Sequence, residues 1–237
     1  MASQHLAIRR QEIIRNLANV RQRIEAIVEG KYEARLVAIS KLKPMSDIRI
    51  AYEDGQRHFG ENYVQELVEK SKELPLDIQW HFVGPLQSNK CKMLAAIPNL
   101  WAVETIDSQN KADLMNKVCA SRESPLRIFV QVNTSREESK NGVSPEECIT
   151  VLNHVQDNCP KLQLVGLMTI GAPNRDPKEP NPDFILLKNL RAQFQEAREI
   201  ELELSMGMSD DFEEALKLDA TNVRVGSAIF GARPPKH

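Results

Sequence analysis

A chain of 237 residues suits one α/β barrel or two small domains and is ample for an apolar core. Hydrophobic residues make up 41% and charged residues 27%, with 31 basic against 33 acidic side chains and a net charge of -2. That balance gives no general electrostatic case for nucleic acid or a membrane surface, and no apolar run approaches the length of a transmembrane helix or a signal h-region.

The four cysteines, Cys91, Cys119, Cys148 and Cys159, form no C-x-x-C pair, and no histidine lies at zinc-ligand spacing from them. They read as reduced thiols, with no metal site. The arginine-rich start would suit a transit peptide, but Glu12, Glu25 and Glu29 interrupt it. The expectation is a cytosolic protein.

The first thirty residues read as one helix. Ile13, Leu17, Val20, Ile24 and Ile27 form a single apolar stripe that packs onto the domain, and Gly30 marks its end. Eight β-rich runs follow: 36–40, 57–60, 79–84, 100–105, 127–133, 163–171, 203–209 and 222–230. They are continuous rather than alternating, as expected of strands buried on both faces. Helical stretches lie between them, around 47–54, 62–73, 87–97, 108–121, 145–158, 184–200 and 211–218, with Ser46, Asn62, Asp107, Ser144 and Asp210 as caps. Strict alternation argues a parallel sheet, and eight repeats argue closure into a single (β/α)8 TIM barrel. Gly231 to His237 leave no room for a last helix, so the N-terminal helix is expected to fill the vacant place in the outer ring. An open doubly wound sheet lacks its Gly-x-Gly-x-x-Gly turn. The proline-rich loop Ala172 to Asp183 reads as a tolerated insertion at the rim, with a lid as the functional alternative.

Function in a barrel gathers at the C-terminal ends of the strands. There the sequence puts Ser40-Lys41-Leu42-Lys43, Gly60-Glu61-Asn62, His81-Phe82-Val83-Gly84, Met168-Thr169-Ile170-Gly171, Ser205-Met206-Gly207-Met208-Ser209 and Arg224-Val225-Gly226-Ser227. The last two sets could bind phosphate through backbone N–H groups and hydroxyls, or could simply make tight turns. Lys41 reads as a rim charge or as an amine suited to a Schiff base, its basicity lowered by Lys43 and Arg224. Gly84 to Lys90 looks faintly like a P-loop, but it lacks the second glycine and has Cys91 where Ser or Thr should bind magnesium. No serine–histidine–acid arrangement is readable, and His58 and His81 read as satisfied histidines within strands. The stretch Ser135 to Gly142 is a binding loop or a solvated turn; spacing does not choose.

These strand ends carry a resemblance. Val37-Ala-Ile-Ser-Lys41-Leu-Lys-Pro44, Phe59-Gly-Glu-Asn-Tyr-Val-Gln-Glu66, His81-Phe-Val-Gly-Pro-Leu-Gln-Ser-Asn-Lys90, Gly166-Leu-Met-Thr-Ile170, Leu204-Ser-Met-Gly-Met-Ser209 and Val223-Arg-Val-Gly-Ser-Ala-Ile-Phe-Gly-Ala-Arg233 occur in order along nearly the whole chain. Together they resemble the pyridoxal phosphate homeostasis proteins, the PLP-binding protein family related to the N-terminal barrel of alanine racemase. The resemblance implies a monomeric barrel that binds pyridoxal 5'-phosphate (PLP). Lys41 would carry the cofactor as a Schiff base, Ser209, Gly226 and Ser227 would hold the phosphate, Arg224 would lie beside the pyridine nitrogen and Asn62 near the ring. It implies a role in PLP homeostasis and carriage without established turnover, with apo-PLP enzymes as transient recipients. Two departures are small: Leu42 stands where the family usually has Thr, and Asp219 where a glycine commonly precedes strand eight. Two other readings fit a barrel with a lysine and a phosphate site: an amino-acid racemase or decarboxylase using PLP, and a class I aldolase-like lyase acting directly on a sugar phosphate. The racemase type is expected to carry a further β domain.

Overall fold

The computed structural model describes residues 2–173, 175 and 179–232. The N-terminal helix α1 spans Ala2–Val28. Eight strands follow, β1 (Arg35–Ile39), β2 (His58–Glu61), β3 (Gln79–Phe82), β4 (Leu100–Ile106), β5 (Leu126–Gln131), β6 (Leu162–Met168), β7 (Glu203–Ser205) and β8 (Asn222–Val225). Each pairs with its sequence neighbour in parallel, and β8 pairs with β1 to close the barrel. The helices between them are α2 (Met45–Glu53), α3 (Val64–Glu73), α4 (Cys91–Ala95), α5 (Gln109–Val118), α6 (Pro145–Asn158), α7 (Pro182–Arg198) and α8 (Phe212–Lys217). A single turn, α9 (Ser227–Phe230), comes last.

The strand ladder runs as the sequence predicts, with the ends corrected. The runs expected to continue to Ser209 and Phe230 stop at Ser205 and Val225. The apolar stretch after β8 is α9, a helix where none was expected. Glycine turns make both breaks. Gly207 has φ +90°, and a Cβ there would come within 2.6 Å of Ala215 Cβ and 2.8 Å of Phe212 Cα. Of the expected caps only Ser144 functions, accepting from the Glu147 N–H at 3.3 Å. Ser108 rather than Asp107 caps α5, and the cap positions of α2, α3 and α8 are Pro44, Tyr63 and Asp211, none of which caps through its side chain.

The helix α1 completes the outer ring between α8 and α2, where it also meets α9. Its fully buried stripe is Ile13, Leu17, Val20, Ile24 and Val28, with Ile27 partly buried against the same core. A straight helix at 3.6 residues per turn drifts from a strict heptad, which moves the last fully buried position one residue on. Each of these side chains contributes about 1.5–3 kcal/mol by burial. Polar ties fix the docking: Arg9 to Asp47 at 2.6 Å and to the Phe230 carbonyl at 2.8 Å, Asn16 to the Ile229 carbonyl, and Arg23 to Glu213.

The main apolar core lies between sheet and helices. Strand residues alternate between that core and the barrel interior. Trp80, Phe82, Val103, Leu204, Met206, Val223 and Val225 belong to the outer core. Their neighbours His81, Glu104, Ser205, Asn222 and Arg224 are buried polar side chains of the interior. The left-handed Asp219 (φ 67°) ends α8 as a departure from glycine would require. The proline-rich loop lies partly outside the described residues, at Asn174 and 176–178. Its described Ala172 and Arg175 are both bonded to Asp183. The stretch 135–142 is an internally bonded loop whose Lys140 reaches the Gly171 carbonyl at 2.6 Å. No helix among the described residues is long and apolar enough to cross a membrane.

Candidate functional site

All six residues singled out from the sequence, Lys41, Asn62, Ser209, Arg224, Gly226 and Ser227, line one cleft of about 220 Å³ at the C-terminal end of the strands. A second cleft, about 580 Å³, opens at the opposite end and is rich in arginine. Its arginines are committed: Arg21 pairs with Asp54, Arg35 with Glu203 and Arg57 with Asp77. The smaller cleft is therefore the candidate site.

On one wall, the turns after β7 and β8 interlock. The Ser209 hydroxyl accepts from the backbone N–H of Gly226 at 3.2 Å and of Ala228 at 3.3 Å. The Arg224 N–H donates to the Gly207 carbonyl, and the Met208 N–H to Asp211. Hydroxyls and amides thus converge at the start of α9, the donor type that an anion requires. On the other wall stands the turn Ser40–Lys41–Leu42 after β1. Three residues of the second βα unit, β2 with α3, clamp it. The Ser40 hydroxyl donates to Glu61 at 2.6 Å, Lys70 donates to the Ser40 carbonyl at 2.8 Å, and the Leu42 N–H donates to Glu66 at 2.7 Å. The clamp holds Leu42 at φ 60°, an uncommon conformation for a bulky residue. Lys70 links the two acids, at 2.7 Å from Glu61 and 2.6 Å from Glu66.

Sequence reasoning missed this clamp, although Glu61 and Glu66 belong to a recognised motif. The available signal was a carboxylate at a strand end with a lysine nine residues on, in the following helix. Burial pushes the Glu61 carboxyl up to about 7 against the opposing pull of Lys70 and Ser40. Between the ordinary carboxylate range and that value, the folded chain binds more protons at Glu61 than the unfolded chain does. Stability from this group is full at low pH and falls as pH rises, by at most about 1.4 kcal/mol per pH unit. Glu61→Gln keeps an acceptor for Lys70 without the titration. The variant's melting temperature relative to the parent's is expected to climb from pH 4.5 to 7; a constant difference across that range would refute the assignment.

Lys43 also lines the cleft, but its ammonium donates to the carbonyls of Phe230, Gly231 and Ala232 at 3.0, 3.2 and 2.8 Å. Burial, followed by the Arg9 charge, moves its pKa down. Asn62 sits just past β2, where Gly84 packs against its backbone.

Arg224 forms the floor of the cleft. Its guanidinium donates to the Ser205 hydroxyl at 2.7 Å and the Thr169 carbonyl at 2.8 Å. Burial lowers its pKa, opposed by the charges of Glu104 and Asp211. The Ser205 hydroxyl donates onward to Glu104 at 2.5 Å, and His81 Nδ1 meets the same carboxylate at 2.5 Å. His58 Nδ1 lies 2.8 Å from His81 Nε2. The histidines are satisfied, as expected. Burial, then the neighbouring charges, brings His58 down to about 3, and burial also lowers His81.

Spacing gave no hint of one further grouping. Asp113 of α5, His154 of α6 and Cys159 just past the end of α6 bring their donor atoms within 4.8 Å of one another. His154 bonds Asp113 at 2.7 Å, and burial with the Asp113 charge pushes the Cys159 thiol up to about 11. This protonated thiol is 3.8 Å from the same carboxylate oxygen.

A closed parallel barrel with a lysine, an amide-and-hydroxyl cradle and a buried arginine at one mouth defines a class: barrel proteins built to hold an anionic small molecule at their strand ends. Residues 8–234 match the family described as alanine racemase, N-terminal domain. A Schizosaccharomyces pombe protein named pyridoxal phosphate homeostasis protein is 47% identical over 91% of this chain and 90% of its own length. The structure of PipY from Synechococcus elongatus with PLP bound superposes with a TM-score of 0.80 at 32% identity, covering 93% of this chain and 100% of that one. Alanine racemase of Clostridium difficile shares the fold, with a TM-score of 0.76 at 15% identity over 95% of this chain and 58% of that one. The chain belongs to the alanine racemase N-terminal domain family and, within it, to the pyridoxal phosphate homeostasis proteins.

Proposed function

We propose that the chain binds PLP at this mouth and serves in its intracellular homeostasis and carriage, without catalytic turnover. The carrying observation is the meeting in one cleft of Lys41, the Ser209 hydroxyl with the Gly226 and Ala228 amides, and Arg224. The donor set fits the cofactor: amides and hydroxyls suit a phosphate dianion, a lysine amine suits an aldehyde, and a fixed guanidinium suits an unprotonated ring nitrogen. Ser209, Gly226 and Ser227 would hold the phosphate, Asn62 would face the ring, and Arg224 its nitrogen. Lys41 would supply the amine that condenses with the aldehyde carbon, with loss of water. When bound, PLP supplies an electron sink for negative charge at an attached amino acid's α-carbon. A permanently charged Arg224 at the ring nitrogen opposes its protonation and so weakens that sink. The sugar-phosphate lyase reading does not require this buried cation. Purified protein loaded with PLP should show a visible absorption band that borohydride abolishes; a colourless protein would favour the lyase.

Racemisation needs a proton donor and acceptor on opposite faces of the cofactor. Lys41 can serve one face. Among the described residues lining the cleft there is no tyrosine or histidine. Tyr32 bonds the Leu216 carbonyl, Tyr52 bonds Asp77, and Tyr63 is exposed at the start of α3. Loaded protein incubated with L-alanine in deuterated water is expected to form no D-alanine at ordinary enzymatic rates, about 1 per second or faster. Steady D-alanine production at such a rate, followed by chiral chromatography, would restore the racemase reading.

A further inference from the structure

Arg224 is joined to an acid 120 residues away by a path whose every proton is assigned by chemistry. Arginine and the asparagine amide nitrogen only donate, and an ionised carboxylate only accepts; the Asn222 amide oxygen is taken by Arg35 at 3.3 Å, which leaves its nitrogen to face Ser205 and Glu104. The Ser205 hydroxyl receives Arg224 Nη1 at 2.7 Å and Asn222 Nδ2 at 2.9 Å, so its single proton must point to Glu104. Glu104 also accepts from Asn222 at 3.3 and 3.4 Å, and His81 must donate to it through Nδ1. His81 Nε2 is then an acceptor, and His58 must be the Nδ1–H tautomer. Both hydroxyl lone pairs and the hydroxyl proton of Ser205 are used, which leaves that end of the guanidinium one orientation.

We infer that Glu104 is a positioning residue for the cofactor site: it provides the buried counter-charge of Arg224 and, through Ser205, aims the guanidinium at the mouth. This rests on the PLP-binding reading above. Glu104, His81 and Ser205 are fully buried, so water does not compete for these bonds. The carboxylate touches nothing in the cleft itself, and its influence runs through Arg224. Burying His81, Glu104, Ser205, Asn222 and Arg224 together, beside the apolar Ala102, Phe129 and Met168, is an expensive choice for a barrel whose centre is ordinarily packed with branched apolar residues, and a requirement to hold Arg224 still accounts for it.

The test compares Glu104→Gln, Arg224→Gln and the double variant. PLP affinity is measured by fluorescence quenching, the cofactor's absorption band is recorded, and the Arg224 guanidinium is observed by 15N NMR in the cofactor-free protein. Glu104→Gln is expected to release the hindered rotation of the guanidinium without any cofactor. It should weaken PLP binding roughly tenfold, within the usual range of coupling between contacting polar groups. The double variant should match Arg224→Gln alone. Additive losses, or an unchanged guanidinium signal in Glu104→Gln, would overturn the inference. Where Glu104→Gln fails to fold, Ser205→Ala removes the bridge alone and must reproduce the guanidinium release; if it does not, the inference fails. An Arg224→Gln protein with unaltered affinity and spectrum would instead count against Arg224 at the ring nitrogen, leaving the cofactor-free NMR result to judge Glu104.

Discussion

Lys41→Ala is expected to abolish all borohydride-fixed cofactor while leaving a protein that still binds PLP reversibly. Two lysines line the cleft, and their surroundings separate them. The Lys43 ammonium has three protons and donates to three carbonyls at the end of α9, so its attack on an aldehyde would give up a full set of hydrogen bonds. Lys41 sits instead on the clamped turn, opposite the cradle of Ser209 and Gly226. In the unaltered protein the reduced label should map to the peptide bearing Lys41. The variant should retain the contacts of Ser209, Gly226, Ser227 and Arg224 but lose affinity by at least roughly tenfold, about 1.4 kcal/mol. Reduced cofactor mapped to Lys43 or Lys90, or undiminished labelling of Lys41→Ala, would refute the assignment.

Gly84→Ala is expected to have the largest effect on stability of any single methyl addition at the mouth. A Cβ at Gly84 would lie 1.9 Å from the Asn62 carbonyl oxygen, 2.6 Å from its carbon and 2.8 Å from its Cα. These are backbone atoms, so no rotamer change relieves the clash. The segments concerned are the ends of paired strands: the Val83 N–H donates to the Glu61 carbonyl at 2.9 Å. Displacing one displaces Asn62 and loosens the neighbouring clamp. The expected loss is about 3 kcal/mol or more, at the upper end of overpacking effects, or a fall of roughly 6–12 °C in Tm for a domain of this size. Calorimetry within a degree of the parent would show that the approach of the two strand ends is looser than described. The same variant is expected to weaken PLP binding, because Asn62 faces the proposed ring site.

The repeating pattern of buried strand and amphipathic helix was legible in the sequence because it is local. Period and punctuation decide each element, and eight of them in alternation leave little choice of closure. That the six candidate residues would share one mouth was legible for a related reason, although choosing them among the other strand-end residues took the family resemblance. In a parallel barrel, the end of each strand is the mouth, so position along the strand stands in for position in space. What sequence could not supply was anything made by contact between distant strands. Ser205 meets Glu104 across 101 residues and Asn222 meets it across 118. Glu104 sits unremarked within the apolar run Trp101-Ala-Val-Glu-Thr-Ile106. The clamp of Glu61, Glu66 and Lys70 around the Lys41 turn, the grip of Lys43 on the last helix, and the extra turn α9 were hidden in the same way. A residue's type and spacing state which bonds it can make. Which partners arrive to make them depends on how the closed sheet brings strand ends together, and only the tertiary structure decides that.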